Sequence, residues 1–318
     1  MKSLSNALIK ILFFVSLIFI NSCTERELFD RNFILPSITG LYTEISGSIS
    51  GRLVKKNSPY LVTKDLIVES EDSLTIEPGT VLYFNERSKF IIKGFLNATG
   101  TRNQRIYFSA YKSSWNGISF NSSNKNSIIR FCIIEKINPI EDNNPLLSGM
   151  SFINSYCTLQ NNFLRDNSLS KGNFISSLNS SITVTNNIFL DNLFDISLIS
   201  SDNNSLRLIN NVFFNNKSNN NQSIVSIKKS IYNEIQNNIF FRNIGEEIKV
   251  TDSEPQKVIL GYNFFGSTTN DPQFWNYETF RLYYLSPCKD AGNPAPEFND
   301  IDGSRNDQGA YGGPNGNW

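Results

Sequence analysis

From residue 156 onward, short stretches alternate apolar and polar side chains, and a pair of asparagines followed at once by bulky apolar residues ends each one. The stretches YCTLQ, SITVT, LRLI, IYNEIQ and KVILG read as strands, because β-branched and aromatic residues at a period of two suit a half-buried pleat. The asparagine pairs open NNFLRDN at Asn161, NNIFLDN at Asn186, NNVFFNN at Asn210 and NNIFFRN at Asn237, with a weaker copy, YNFFGS, at Tyr262. Spacings of 25, 24, 27 and 25 residues define a repeat. Such units are too short for paired helices, and the frame of leucine-rich repeats is missing. A third strand candidate falls in each unit: GISF (117–120), GMSFI (149–153), NFIS (173–176), DISLI (195–199), SIVSI (223–227) and EIKV (247–250).

Three short strands per unit predict a triangular coil whose turns stack roughly 4.8 Å apart. Stacking aligns Asn162, Asn187, Asn211, Asn238 and Asn263 in one column and Asn167, Asn192, Asn216 and Asn243 in another. These columns are expected at corners, where Asn tolerates a left-handed backbone and stacked amides hydrogen-bond from turn to turn. Two apolar columns follow the first. Of these, Leu164, Phe189, Phe213, Phe240 and Phe265 are expected to face inward rather than Phe163, Ile188, Val212, Ile239 and Phe264.

The N-terminal half carries SPYLVTKDLIV, then LTIEPGTVLYF (74–84), FIIKGFLNATGTRNQRIYFSA (90–110) and WNGISF (115–120). Together with the repeats, these residues resemble the right-handed parallel β-helix family, the pectate-lyase-like solenoids, over residues 60–267. The resemblance implies an all-β fold, a single right-handed parallel β-helix with three strands per rung and roughly eight to nine rungs. It speaks to fold and says little about activity. Residues 38–267 are assigned to the solenoid, with 38–51 starting the sheet or covering its first rung. Residues 268–318 lack the asparagine period and resemble the closing segment of bacterial β-helices, expected to cover the last rung, whose strand edges otherwise lie open.

Residues 1–22 read as a signal peptide. Lys2 and Lys10 precede or flank the ten residues 11–20, apolar except for Ser16 and too short to span a bilayer. FINSC resembles a bacterial lipoprotein signal, which implies cleavage before Cys23, lipidation of its thiol and a place in the bacterial cell envelope, at the outer membrane. An ordinary secretory signal with an incidental cysteine is the alternative. Residues 23–37 form a tether.

Lysine plus arginine and aspartate plus glutamate are equal at 29 each, so no charge field points to nucleic acid. The absence of histidine removes Ser-His-Asp and Cys-His catalysis and histidine-ligated zinc. Cys132, Cys157 and Cys288 are odd in number and read as small buried residues, with Cys132 in the asparagine column.

Chemistry has three candidate locations. Asp300, Asp302 and Asp307 are spaced somewhat like a calcium loop, although the twelfth position is Tyr311 rather than glutamate; calcium and simple turn bonding both remain open. Asp166 and Asp191 share a column on successive rungs, with Arg165 and Arg242 nearby, and could serve acid/base work on a glycan or be solvated turn residues. Trp115, Trp275, Tyr277, Tyr283 and Tyr284 could stack on sugars or bury the final rung. The leading reading is a monomeric, lipid-anchored extracytoplasmic module that binds glycan or another surface polymer, because repeats of such even length leave few residues for a cleft. Alternatives are a histidine-free polysaccharide lyase or glycoside hydrolase, and a structural spacer.

Overall fold

The computed structural model describes residues 41–139, 147–316 and 318. The signal segment, the tether and Cys23 lie outside the described residues, as does 140–146. One compact unit, Ser37–Trp275 with Phe280–Trp318, carries the solenoid. In the other, residues 276–279 form a turn in which Asn276 Oδ1 accepts from the Glu278 N–H and from the N–H and hydroxyl of Thr279.

Each turn of the chain gives one strand to each of three faces. In one turn these are Ser181–Thr185, Ile188–Leu190 and Ile199–Asp202. The first face stacks nine strands, from Gly51–Leu53 to Val258–Gly261; the other two join into one seventeen-stranded sheet. Neighbouring strands on all three faces are parallel and, apart from a register shift between Ile45 and Gly47 in the first strand, aligned residue for residue, for example Ile182↔Leu206 and Phe189↔Phe213. The molecule is a single all-β, right-handed parallel β-helix of about eight turns.

The core consists of columns. Ile76, Ala98, Ile129, Leu159, Val184, Leu208 and Ile235 climb the inside of the first face. Leu164, Phe189, Phe213 and Phe240 climb the second, and their inward direction follows from the alternation. Adjacent rings are nearly parallel, with centroids 4.7 Å apart for Phe189–Phe213 and 4.6 Å for Phe213–Phe240. Each buried side chain of this size contributes about 1.5–3 kcal/mol. Cys157 points inward with them, Cys132 sits in the asparagine column, and both thiols are free. Burial raises both well above the ordinary thiol range, so neither is a nucleophile.

Three corners per turn share one construction: a residue in the left-handed region, then a polar residue whose side chain bonds along the stack. The left-handed positions are Asn161, Asn186, Asn210 and Asn237 at the first corner and Asp166, Asp191, Asn215 and Arg242 at the second. Asn154, Asn179, Asn203 and Lys229 hold the third. Its stacking residues are serines and an asparagine: the Ser123 N–H donates to Ser155 Oγ, the Ser155 N–H to Ser180 Oγ and the Ser180 N–H to Asn204 Oδ1.

Two expectations need correction. DISLI is not the strand of its turn; the strand is Ile199–Asp202, four residues later, and it stacks Ser200 between Ser176 and Ser226. Its inward positions include Ser201, so apolar content gave no sign of it. The second correction concerns the C-terminal segment, which does not close the last rung. It runs back along the outside of the second face. Gln308 donates to the Tyr262 carbonyl, Asn306 meets Asn210, and the Asn315 carbonyl accepts from Asn161. Its cover explains why the outward column Phe163, Ile188, Val212 and Ile239 is buried too. A Cβ on Gly309, at φ 91°, would meet Ile239 Cδ1 at 2.7 Å, so the segment needs glycine there to lie this close.

Candidate functional site

The asparagine pairs divide two tasks. In each pair the second residue forms the internal ladder. Asn187 Nδ2 donates to the Leu159 carbonyl at 2.9 Å and to Asn211 Oδ1 at 3.0 Å, while its own Oδ1 accepts from the N–H and Nδ2 of Asn162. Asn211 repeats this with Val184 and Asn238, and Asn238 with Leu208 and Asn263. A second ladder runs Asn167, Asn192, Asn216, Asn243. The first residue of each pair makes the left-handed bend and turns its amide outward to the C-terminal segment. Asn186 Nδ2 donates to the carbonyls of Ala310 and Gly312, and Asn210 Nδ2 to those of Asp307 and Gly309. Asn237 Oδ1 accepts from the Asn293 N–H. These asparagines are structural on both sides.

The acid/base candidates fall on the second corner. Asp166 and Asp191 have φ of 52° and 54°, a backbone that Asp and Asn tolerate better than most residues. Asn215 Nδ2 donates to Asp191 Oδ1 one rung on. Arg165 lies beside Asp166, Nε to Oδ2 3.8 Å, but its closer partner is Glu135, at 3.0 Å with both groups buried. Arg242, two rungs beyond Asp191, has its guanidinium over the rings of Phe241 and Phe214, at 5.0 and 5.7 Å.

Glu135 is the residue the sequence did not flag. Its carboxylate also accepts from Ser109 Oγ at 2.8 Å, and Tyr83 lies on the same outward column. Burial, with the Glu135 charge adding to it, pushes the Tyr83 phenol up to about 12. A tyrosine held neutral and a glutamate locked to an arginine make a structural cluster rather than a proton-transfer pair.

The aspartates of the C-terminal loop bond to turns. Asp300 accepts from the N–H groups of Asp307 and Gly313, Asp307 from that of Asp290, and Asp302 from the N–H and hydroxyl of Ser304. Among the described residues no three His, Cys, Asp or Glu side chains stand around a common metal position. Turn N–H groups thus engage all three carboxylates, and one of these bonds ties the Asp307 N–H to Asp300 itself.

The aromatics separate clearly. Trp115 is fully buried, stacked on Phe84 with centroids 4.1 Å apart, its Nε1–H donating to the Glu135 carbonyl. Tyr277 is partly buried. Trp275 and Tyr284 are 57% and 66% exposed. Trp275 stacks against Tyr283 with centroids 5.8 Å apart, and Tyr283 contacts Tyr284 at 4.4 Å. A short antiparallel pairing holds the three: the Trp275 N–H donates to the Arg281 carbonyl and the Tyr283 N–H to that of Gln273. Beneath it Phe274 and Phe280 meet edge to face, and Phe280 packs on Phe214 of the solenoid. The result is an aromatic surface on a buried footing.

The fold and this surface define the class, a parallel β-solenoid with an exposed aromatic platform on its C-terminal segment. No family model matches the chain. Among curated proteins, the Drosophila melanogaster protein named Protein bark beetle is 36% identical over 86 residues, covering 26% of this chain and 3% of that protein. The chain thus spans only a small fraction of the relative's length.

Proposed function

We propose that the protein is a lipid-anchored, extracytoplasmic binding module of the bacterial cell envelope that holds a polysaccharide against Trp275, Tyr283 and Tyr284. The observation that carries this reading is the exposure of Trp275 and Tyr284, with half-buried Tyr283 stacked between them. A soluble surface gains nothing from presenting a tryptophan and a tyrosine to water, whereas sugar rings bind through their apolar C–H faces to such surfaces. The FINSC sequence supports attachment through Cys23. The acidic residues of the second corner do not favour catalysis, because the backbone bend accounts for them.

The test is a glycan array probed with the chain from Thr24 onward and with the Trp275→Ala/Tyr284→Ala variant. Each aromatic contact of this kind is worth about 0.5–1.5 kcal/mol, so the double variant is expected to bind its best polysaccharide about tenfold or more weakly. Equal binding by both proteins, or none by either, would overturn the reading.

A further inference from the structure

The C-terminal end of the solenoid is open. In the last rung, Leu260, Phe265 and Val250 continue inward columns that are closed one rung earlier by Ile235, Phe240 and Ile227. Those three are buried to within 1%, whereas Leu260, Phe265 and Val250 are 49%, 47% and 37% exposed. Among the described residues the strands Ile248–Thr251, Val258–Gly261 and Phe264–Phe265 pair on one side only. At the opposite end, among the described residues, the strand edges are open in the same way, although Leu53 is buried and Ile45 and Ile49 pack partly buried against the core. The strands Thr43–Ser48 and Gly51–Leu53 likewise pair only with the rung that follows, and Leu41 and Tyr42 stand exposed before them.

The two ends also differ in charge. Residues 41–57 carry Arg52, Lys55 and Lys56 against Glu44, a net of +2. Residues 244–265 carry Glu246, Glu247, Asp252 and Glu254 against Lys249 and Lys257, a net of −2. An open strand edge takes another strand through backbone hydrogen bonds, and side-chain charge selects which one.

We propose that the last rung docks the first rung of a second copy of this chain, so that solenoids stack head to tail and continue one another's sheets. Parallel strands meet parallel strands in this arrangement, and the apolar end of one copy is covered by the other. Such a contact uses two different surfaces, so it does not close on itself and builds linear assemblies. The inference is independent of glycan binding, since the aromatic platform lies on the flank and neither end contributes to it.

Sedimentation of the chain from Thr24 onward is expected to show mass rising with concentration, and less so in high salt. Two charge variants at exposed positions test the pairing: Lys55→Glu/Lys56→Glu, which makes both ends acidic, and Glu246→Lys/Glu254→Lys, which makes both basic. Each variant alone is expected to remain monomeric, and an equimolar mixture to associate as the native chain does. Circular dichroism of each variant checks that the solenoid is intact. A native chain that stays monomeric at all concentrations would overturn the proposal. So would variants that associate alone as well as the native chain, or a mixture that does not associate.

Discussion

An asparagine here acts according to the direction its side chain takes, along the stack or out of it. Asn211 points along the stack. Replacing it with alanine removes the acceptor of the Asn187 N–H and Nδ2 and the donor to the Val184 carbonyl, all buried. An unsatisfied buried group costs about 1–3 kcal/mol. Asn211→Ala is therefore expected to lower unfolding free energy by at least about 2 kcal/mol, read from urea denaturation. Asn203, at φ 49° with an exposed amide that donates to Asn179, sets the comparison, and Asn203→Gly, which keeps the left-handed bend, is expected to cost well under half as much. Equal losses would show that the ladder does not hold the rungs together. Asp166 and Asp191 belong to the same residue-scale logic, because Asn215 occupies their column one rung on.

At the scale of elements, the C-terminal segment is the part whose attachment responds to pH. Burial raises the Asp300 carboxyl to about 6, against the hydrogen bonds from Gly313 and Asp307, and burial raises Asp307 as well. A carboxyl raised in the folded state favours the protonated form there. Its stabilising contribution is present below about pH 4 and is lost as pH rises through about 6. Amides of residues 300–313 are thus expected to exchange hydrogen more slowly, relative to their intrinsic rates, at pH 5 than at pH 7.5. Asp300→Asn should remove most of that difference. The same loops predict that EDTA leaves the melting temperature unchanged, because turn amides already occupy the carboxylates; a drop restored by Ca²⁺ would contradict that assignment.

These elements also show what the chain made legible. The asparagine ladders and the inward phenylalanines were readable because one residue type repeats at one spacing. The third corner was hidden because Ser123, Ser155, Ser180 and Asn204 do its bonding with changing residues. The course of residues 291–316 along the flank was not readable at all. It depends on which backbone carbonyls meet Asn161, Asn186 and Asn210, and a carbonyl leaves no mark in a sequence. Glu135 was missed for a related reason: its partner Arg165 is a rung away in space and thirty residues away in the chain.

At the scale of the whole molecule, the solenoid unit presents an aromatic platform on its flank and two ends of opposite charge. Its three tryptophans are well placed to report on ligand, because Trp115 and Trp318 are buried and Trp275 is exposed. Acrylamide quenching of the chain from Thr24 onward, titrated with the polysaccharide selected on the array, tests the platform directly. The account predicts that quenching falls to that of the Trp275→Phe variant as polysaccharide saturates. Quenching that stays unchanged while the polysaccharide binds would place the ligand elsewhere and contradict it.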